Sequence, residues 1–235
     1  MGKVNVEQML APIAPDKPSG DDLSYDAAFL ELERIAPGTV EQQIGSTIVA
    51  AQEPNWRDVS DMAIELMERA KHLRVVLYLC VGQLKLEGLP GLRDGISVLR
   101  STLERFWDTV FPQLDPSDNN DPLERINIIA QLAVPAGTLG DPLRICERVQ
   151  ACPLTNSRQF GRLTLRDLMM SKGELPVPEG TKAPEPALID GAFRETSAEE
   201  LDTLYKAGVE ILEHVAGIEA FLDEKVGVGR SPDLK

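Results

Sequence analysis

Residues 113–127, QLDPSDNNDPLERIN, crowd Asp115, Asp118, Asn119, Asn120, Asp121 and Glu124 into a short stretch. Side-chain oxygens at this density suit three uses: calcium coordination, acid–base catalysis by paired carboxylates, or the ending and starting of helices. A calcium loop of the EF-hand type needs oxygen ligands at positions 1, 3 and 5, glycine at 6 and a bidentate glutamate at 12. Counting from Asp115, Ser117 and Asn119 fit, but Asn120 replaces the glycine and Ile126 stands in the glutamate's place. Counting from Asp118 puts Pro122 at position 5, so both registers fail. A general acid needs a carboxyl shielded from water, whereas a loop this polar, flanked by prolines, reads as exposed. Helix initiation fits best. Asp121 accepts free backbone N–H groups, Pro122 occupies the first helical position and Glu124 the third.

The other chemically capable residues are few. Cys80, Cys146 and Cys152 form no C-x-x-C pair, which excludes a zinc ribbon or a dithiol redox motif. Cys152, in QACPLTN, is the one candidate nucleophile, and no histidine lies near it in sequence to activate it. A hydrolase using Cys152 or the carboxylates, and a calcium-dependent adaptor, are therefore the alternative readings. His72 stands between two helices and is expected to satisfy a helix C-terminus; His214 is expected to be solvated. No G-x-S-x-G, G-K-[ST] or G-x-G-x-x-G occurs, so no catalytic residue, metal or cofactor is expected. Trp56 reads first as a lid over the edge of the core and second as an interface anchor, with Arg57 beside it.

The elements that hold these residues read as helices. Asn55 caps a helix with Val59, Met62, Ala63, Leu66 and Ala70 on one face. The run from Leu73 to Gly88 is apolar on nearly all sides, as a central helix is. Pro90 opens the next helix, whose inner stripe runs from Leu92 to Trp107. Residues 1–23 are expected to form an extended arm, and Ser24 or Asp26 to cap a short helix after it. Ser46 to Ala50 reads as extended, and RQFGRLTLRDL as a small hairpin or extended piece. Residues 175–187 form a proline-rich strap. Ser197 and Glu200 make a capping box that starts a long final helix, 197–226. Its seam, Leu201, Leu204, Gly208, Ile211, Val215, Ile218 and Leu222, steps by threes and fours and suits packing in the bundle or weak, dimeric self-association. The tail RSPDLK has nothing to pack. The fold class expected is all-α: a multi-helix bundle over 1–226 with an extended N-terminal arm and room for a small β-hairpin.

Composition narrows the partners. The 38 acidic against 24 basic residues give a formal charge of −14, which opposes binding to nucleic acid and anionic lipid and favours basic protein surfaces. No stretch approaches 18 consecutive apolar residues, so no membrane insertion is expected, and reduced thiols suit the cytoplasm.

Four stretches together resemble the ImpA amino-terminal domain of the TssA family of the bacterial type VI secretion system. They are LAPIAPDKPSGDDLSYDAAFLELER, EPNWRDV, the block from His72 to Asn127, and FGRLTLRDL. The resemblance implies a non-enzymatic cytoplasmic component, associated with the baseplate and membrane complex, that helps prime or coordinate the tube and sheath polymer. It also implies a C-terminal region that builds homo-oligomeric rings; this chain contains none, and 227–235 reads as a linker toward it. Without catalytic residues, the candidate sites are protein-interaction surfaces: Trp56 and Arg57, and the loop with Asp115, Asp118, Asn119, Asn120 and Asp121.

Overall fold

The computed structural model describes residues 5–39, 42–44 and 47–234. The fold is all-α. A run of 15 residues without a breaker, Leu73–Glu87, forms α4, and its apolar side chains are buried all round: Leu73, Val75, Val76, Leu79 and Cys80 each have 0% exposure. On one side of it lies α3, Trp56–Met67, started by Asn55, whose Oδ1 accepts from the Arg57 N–H at 3.1 Å. On the other lies α5, Leu89–Phe106. Glycine brings α4 and α5 into backbone contact. A Cβ on Gly95 would stand 2.8 Å from Cys80 Cα, and one on Gly91 would stand 2.3 Å from the Gln83 carbonyl oxygen. Residue 91 thus faces 83 and 95 faces 80, so the two helices run antiparallel.

The long helix α10, Ala198–Val226, starts at the expected capping box, with Ser197 and Glu200 each holding the other's backbone N–H. Its seam packs inside the bundle on α5: Ile218 and Leu222 are fully buried and Ile211 and Val215 lie against the core. The opposite stripe, with Tyr205 and Leu212, stays exposed. The remaining helices are short: α1 Val6–Met9, α2 Ala27–Ile35, α6 Leu123–Ala130, α7 Ile145–Gln150, α8 Leu165–Ser171 and α9 Pro186–Glu195. Asp26, rather than Ser24, caps α2.

Arg125 of α6 closes the turn that follows α5. It is 1% exposed and enters no ion pair among the described residues, with Asp108 acting on it only through its charge. Instead Nε donates to the Pro112 carbonyl at 2.7 Å, Nη2 to that of Val110 at 2.7 Å, and Nη1 to that of Trp107, while the guanidinium stacks 5.0 Å from the Trp107 ring centre. Carbonyls left over at the end of α5 thereby gain a charged donor.

Four expectations change. The arm is not wholly extended: Asn5 caps the helical turn α1, because Met9 and Leu10 find buried positions on the bundle. The paired strands among the described residues are Gln42–Ile44 and Thr47–Val49, antiparallel; the second lies within the stretch 46–50 read as extended, and the first precedes it. RQFGRLTLRDL contributes isolated bridges, Pro153 to Thr164 and Ser157 to Gly161, and then α8, because the Thr164–Asp167 capping box turns the chain into a helix. Finally, the tail does pack. Leu234 is 8% exposed and its N–H donates to Glu219 Oε1 at 2.9 Å, which anchors residues 230–234 back on α10.

Candidate functional site

The oxygen-rich loop lies on the surface, and two of its carboxylates, Asp115 and Asp121, bind the loop's own backbone. Asp115 Oδ1 accepts from the Ser117 N–H at 2.7 Å and starts a single 3-10 turn, Pro116–Asp118. Asn119 and Asn120 follow at φ of 55° and 54°, the left-handed region that asparagine tolerates better than most residues. Asp121 Oδ1 accepts from the Leu123 N–H at 3.1 Å. The helix begins one residue later than expected, so Pro122 stands at its boundary and not inside it. Beside the loop a cleft of about 450 Å³ opens, lined by Trp107, Asp118, Asn120, Lys225 and Arg230. Arg230 reaches Asp121 at 3.1 Å. Among the described residues no group of histidine, cysteine and carboxylate side chains has the arrangement of a metal site.

Trp56 is half-buried against the core, as a lid is. Its indole N–H donates to Glu53 Oε2 at 2.8 Å, and the Arg148 guanidinium lies 4.4 Å from its ring centre. Arg148 also pairs with Glu53 at 2.7 Å, and Lys85 stands 3.6 Å from the same carboxylate. Burial is the largest single influence on Glu53 and works against its charge, but the Arg148 bond and charge, the Lys85 charge and the Trp56 bond together outweigh it, so the carboxyl ionises below its ordinary range. The cluster ties residues 53–56 to α4 and α7. Arg57 points outward and is exposed.

The thiols are the opposite of activated. Cys152 is buried, its sulfur lies 3.9 Å from the Pro153 carbonyl, and burial raises its pKa. Burial likewise pushes Cys80 up to about 12. A nucleophilic thiol needs a lowered pKa and a neighbouring base.

A third feature escaped the sequence. Its centre is His72, which caps the N-terminus of α4 rather than a C-terminus: Nδ1 accepts from the Arg74 N–H at 3.2 Å. That bond makes Nε2 the protonated nitrogen of a neutral ring. The arm and the end of α5 pair with the backbone here in a strand-like way. The Lys71 N–H donates to the Ser19 carbonyl at 2.8 Å, and the Phe111 N–H to the Lys71 carbonyl at 2.9 Å. Gly20 lies so close to α3 that a Cβ would stand 2.1 Å from the Arg69 carbonyl oxygen. Phe29 and Phe111 flank the His72 ring, with centres 4.7 and 6.3 Å away. Burial in this slot pushes the imidazole from 6.5 down to about 4, and the Arg74 charge adds to the effect. Above the ring opens a cleft of about 700 Å³. Arg74 stands at its side and binds Glu33 and Glu124, each at 3.1 Å. The local signal was present in the order His72-Leu73-Arg74, an acceptor before an apolar run, but histidine is a less familiar cap than Asn55.

Comparison with known proteins agrees with this architecture. Residues 10–134 match the family described as ImpA, N-terminal, type VI secretion system. The type VI secretion system component TssA1 of Pseudomonas aeruginosa is 41% identical over 231 residues, which cover 98% of this chain and 64% of that protein. The chain thus spans less than two thirds of that relative's length. A solved structure of the TssA N-terminal domain that includes the conserved ImpA_N region, from Burkholderia cenocepacia, superposes with a TM-score of 0.76 at 24% identity, covering 100% of this chain and 88% of that one. The fold is therefore shared with that domain, and the matched residues reach from the arm through α6. The chain belongs to the TssA family of type VI secretion components, through its ImpA amino-terminal region.

Proposed function

We propose that this chain is a non-enzymatic, cytoplasmic protein-interaction module of the type VI secretion apparatus that helps assemble or prime the baseplate and the tube and sheath polymer. Family membership carries the reading. The geometry supports it: the thiols are held protonated, and the carboxylates of the oxygen-rich loop fix a turn. No helix among the described residues is long and apolar enough to cross a membrane, so contact with the membrane complex would run through its proteins. The surfaces proposed for docking are the loop Asp115–Asp121 and the exposed Arg57 beside the Trp56 lid. A charge of −14 suits partners with basic faces. Homo-oligomerisation is assigned to a C-terminal region of the kind the longer relatives have.

Crosslinking with mass spectrometry in cells tests the reading. Baseplate, sheath or membrane-complex proteins are expected among the crosslinked partners, and their absence would overturn it. A double variant, Asp118→Lys with Asp121→Lys, tests the loop: recovery of the same partners in the same yield would remove the loop as a contact.

A further inference from the structure

The cleft above His72 is negatively charged and carries an unused hydrogen-bond donor. Asp16, Asp21, Asp22, Glu33 and Glu124 line it against only Lys17 and Arg74, and the imidazole between them is neutral. Pairing inside the cleft is incomplete. Lys17 takes Asp21 at 2.6 Å and Arg74 takes both glutamates, whereas Asp16 and Asp22 enter no ion pair among the described residues. Asp22 is nevertheless fixed in place. Its Oδ1 accepts from the Ser24 N–H at 2.8 Å and from the Ser24 hydroxyl at 2.6 Å, which leaves Oδ2 open.

The second observation concerns the imidazole itself, which the Asp22 carboxylate reaches through its charge. His72 is 6% exposed, its faces are flanked by two phenylalanines and its Nδ1 is engaged. The Nε2–H edge has no partner among the described residues and is what the ring contributes to the cleft wall. A donor whose ring is fixed in an aromatic slot and whose N–H edge opens to the cleft offers a ligand carbonyl a pre-oriented partner in place of water.

We propose that the cleft binds an extended segment of a partner protein, which places an arginine or lysine side chain against Asp22 and a main-chain carbonyl on His72 Nε2–H. A volume of about 700 Å³ accommodates about two or three residues of such a segment and lies within the range of small-ligand pockets. Charge decides between occupants. An anion would find the His72 donor but would face the carboxylate excess, whereas a cation meets an unpaired, pre-oriented carboxylate. The inference rests on the protein-interaction reading and assigns it a face distinct from the loop Asp115–Asp121.

The test is an NMR titration of the 235-residue chain with blocked Gly-Arg-Gly, Gly-Lys-Gly, Gly-Glu-Gly and Gly-Gly-Gly peptides and with inorganic phosphate. The two basic peptides are expected to shift the amides of Gly20, Asp22, Arg74 and Phe111 at millimolar concentration, and the others not to. Asp22→Asn keeps the acceptor for Ser24 and is expected to weaken the effect at least tenfold. His72→Asn keeps an acceptor for the helix cap and, being shorter, withdraws the donor from the Nε2 position, with an expected loss of about threefold to tenfold. Thermal melts confirm that each variant is folded. Shifts at the cleft with the acidic peptide or with phosphate, shifts confined to Asp115–Asp121, or no shift at all would overturn the proposal. Crosslinking to secretion proteins would stand in each of those cases, so failure here is distinguishable from failure of the function.

Discussion

Lys71 offers the sharpest test of the energetics. It is 0% exposed, yet among the described residues no carboxylate forms an ion pair with it, and Glu68 acts on it only through its charge. Nζ donates to the Met67 carbonyl at 2.9 Å, at the end of α3, and lies 5.9 Å from the Phe106 ring centre. Burial lowers its pKa from 10.5 to about 8. Between those values the unfolded chain binds more protons than the folded one, so stability rises as pH climbs from about 8 to 10.5 and carries the full penalty below. At about 1.36 kcal/mol per pH unit the ceiling on that penalty is about 3.4 kcal/mol. Against it stands one charge-assisted hydrogen bond, worth about 1.5–3 kcal/mol, whose loss leaves the Met67 carbonyl unpaired. The substitution Lys71→Met keeps the volume and removes the charge. It is expected to raise stability by about 1 kcal/mol at pH 7; because relief of the penalty favours the lysine form as pH climbs, this gain is expected to vanish near pH 9 and to become a loss of about 1–2 kcal/mol by pH 10. Urea denaturation of both proteins followed by circular dichroism at pH 7, 8, 9 and 10 measures this. The difference between the two curves cancels titrations they share, such as that of Cys80. A difference independent of pH across this range, or a gain of the variant that increases toward pH 10, would refute the reasoning.

Arg125→Met removes the clamp on the carbonyls of Trp107, Val110 and Pro112 and is expected to cost about 3–5 kcal/mol in chemical denaturation, with Arg125→Lys recovering less than half because one ammonium does not span three carbonyls. Because His72 is held neutral down to about 4, the unfolded chain takes up its proton first, so stability falls as pH drops from 6.5 toward 4. His72→Asn is expected to flatten that decline by up to about 3 kcal/mol, read as the difference between the two proteins' unfolding curves at pH 7 and pH 4.5. Trp56→Ala strips the ring from between Arg148, Glu53 and the core edge and is expected to lower stability by about 2–4 kcal/mol in the same assay, while Arg57→Ala stays within about 0.5 kcal/mol.

Much of the bundle was legible because its signals are local. Asn55, Pro90 and the Ser197–Glu200 box mark helix starts within a few residues, and an apolar run like Leu73–Glu87 has no other way to bury its faces. The same holds for the oxygen-rich loop, where the failure of the calcium spacing and the Asp121 turn are both readable in order along the chain. What escaped depends on partners far away in sequence. Arg125 looks like a surface residue of LERINIIA until the carbonyls near Trp107 are placed around it. The His72 cleft needs the arm, α2, α4 and the turn after α5 to meet, and no periodicity encodes that meeting. The turn α1 and the docked tail follow the same logic, since Met9 and Leu234 become helical or anchored only because the bundle offers them an apolar site.

The docked tail has a mechanical meaning. Tension applied at Leu234 runs first through Glu219 and the Ser231–Asp223 bond on α10, and through Arg230 to Asp121. The Arg230–Asp121 pair is exposed and worth no more than about 1 kcal/mol, so it is among the first to yield. Beyond it the load meets Trp107, which touches Phe221 edge-on at 5.6 Å and is gripped from behind by Arg125. The outer surface thus lets go under a weak pull while the bundle holds, and the contact that yields frees Asp121 at the edge of the cleft beside Trp107.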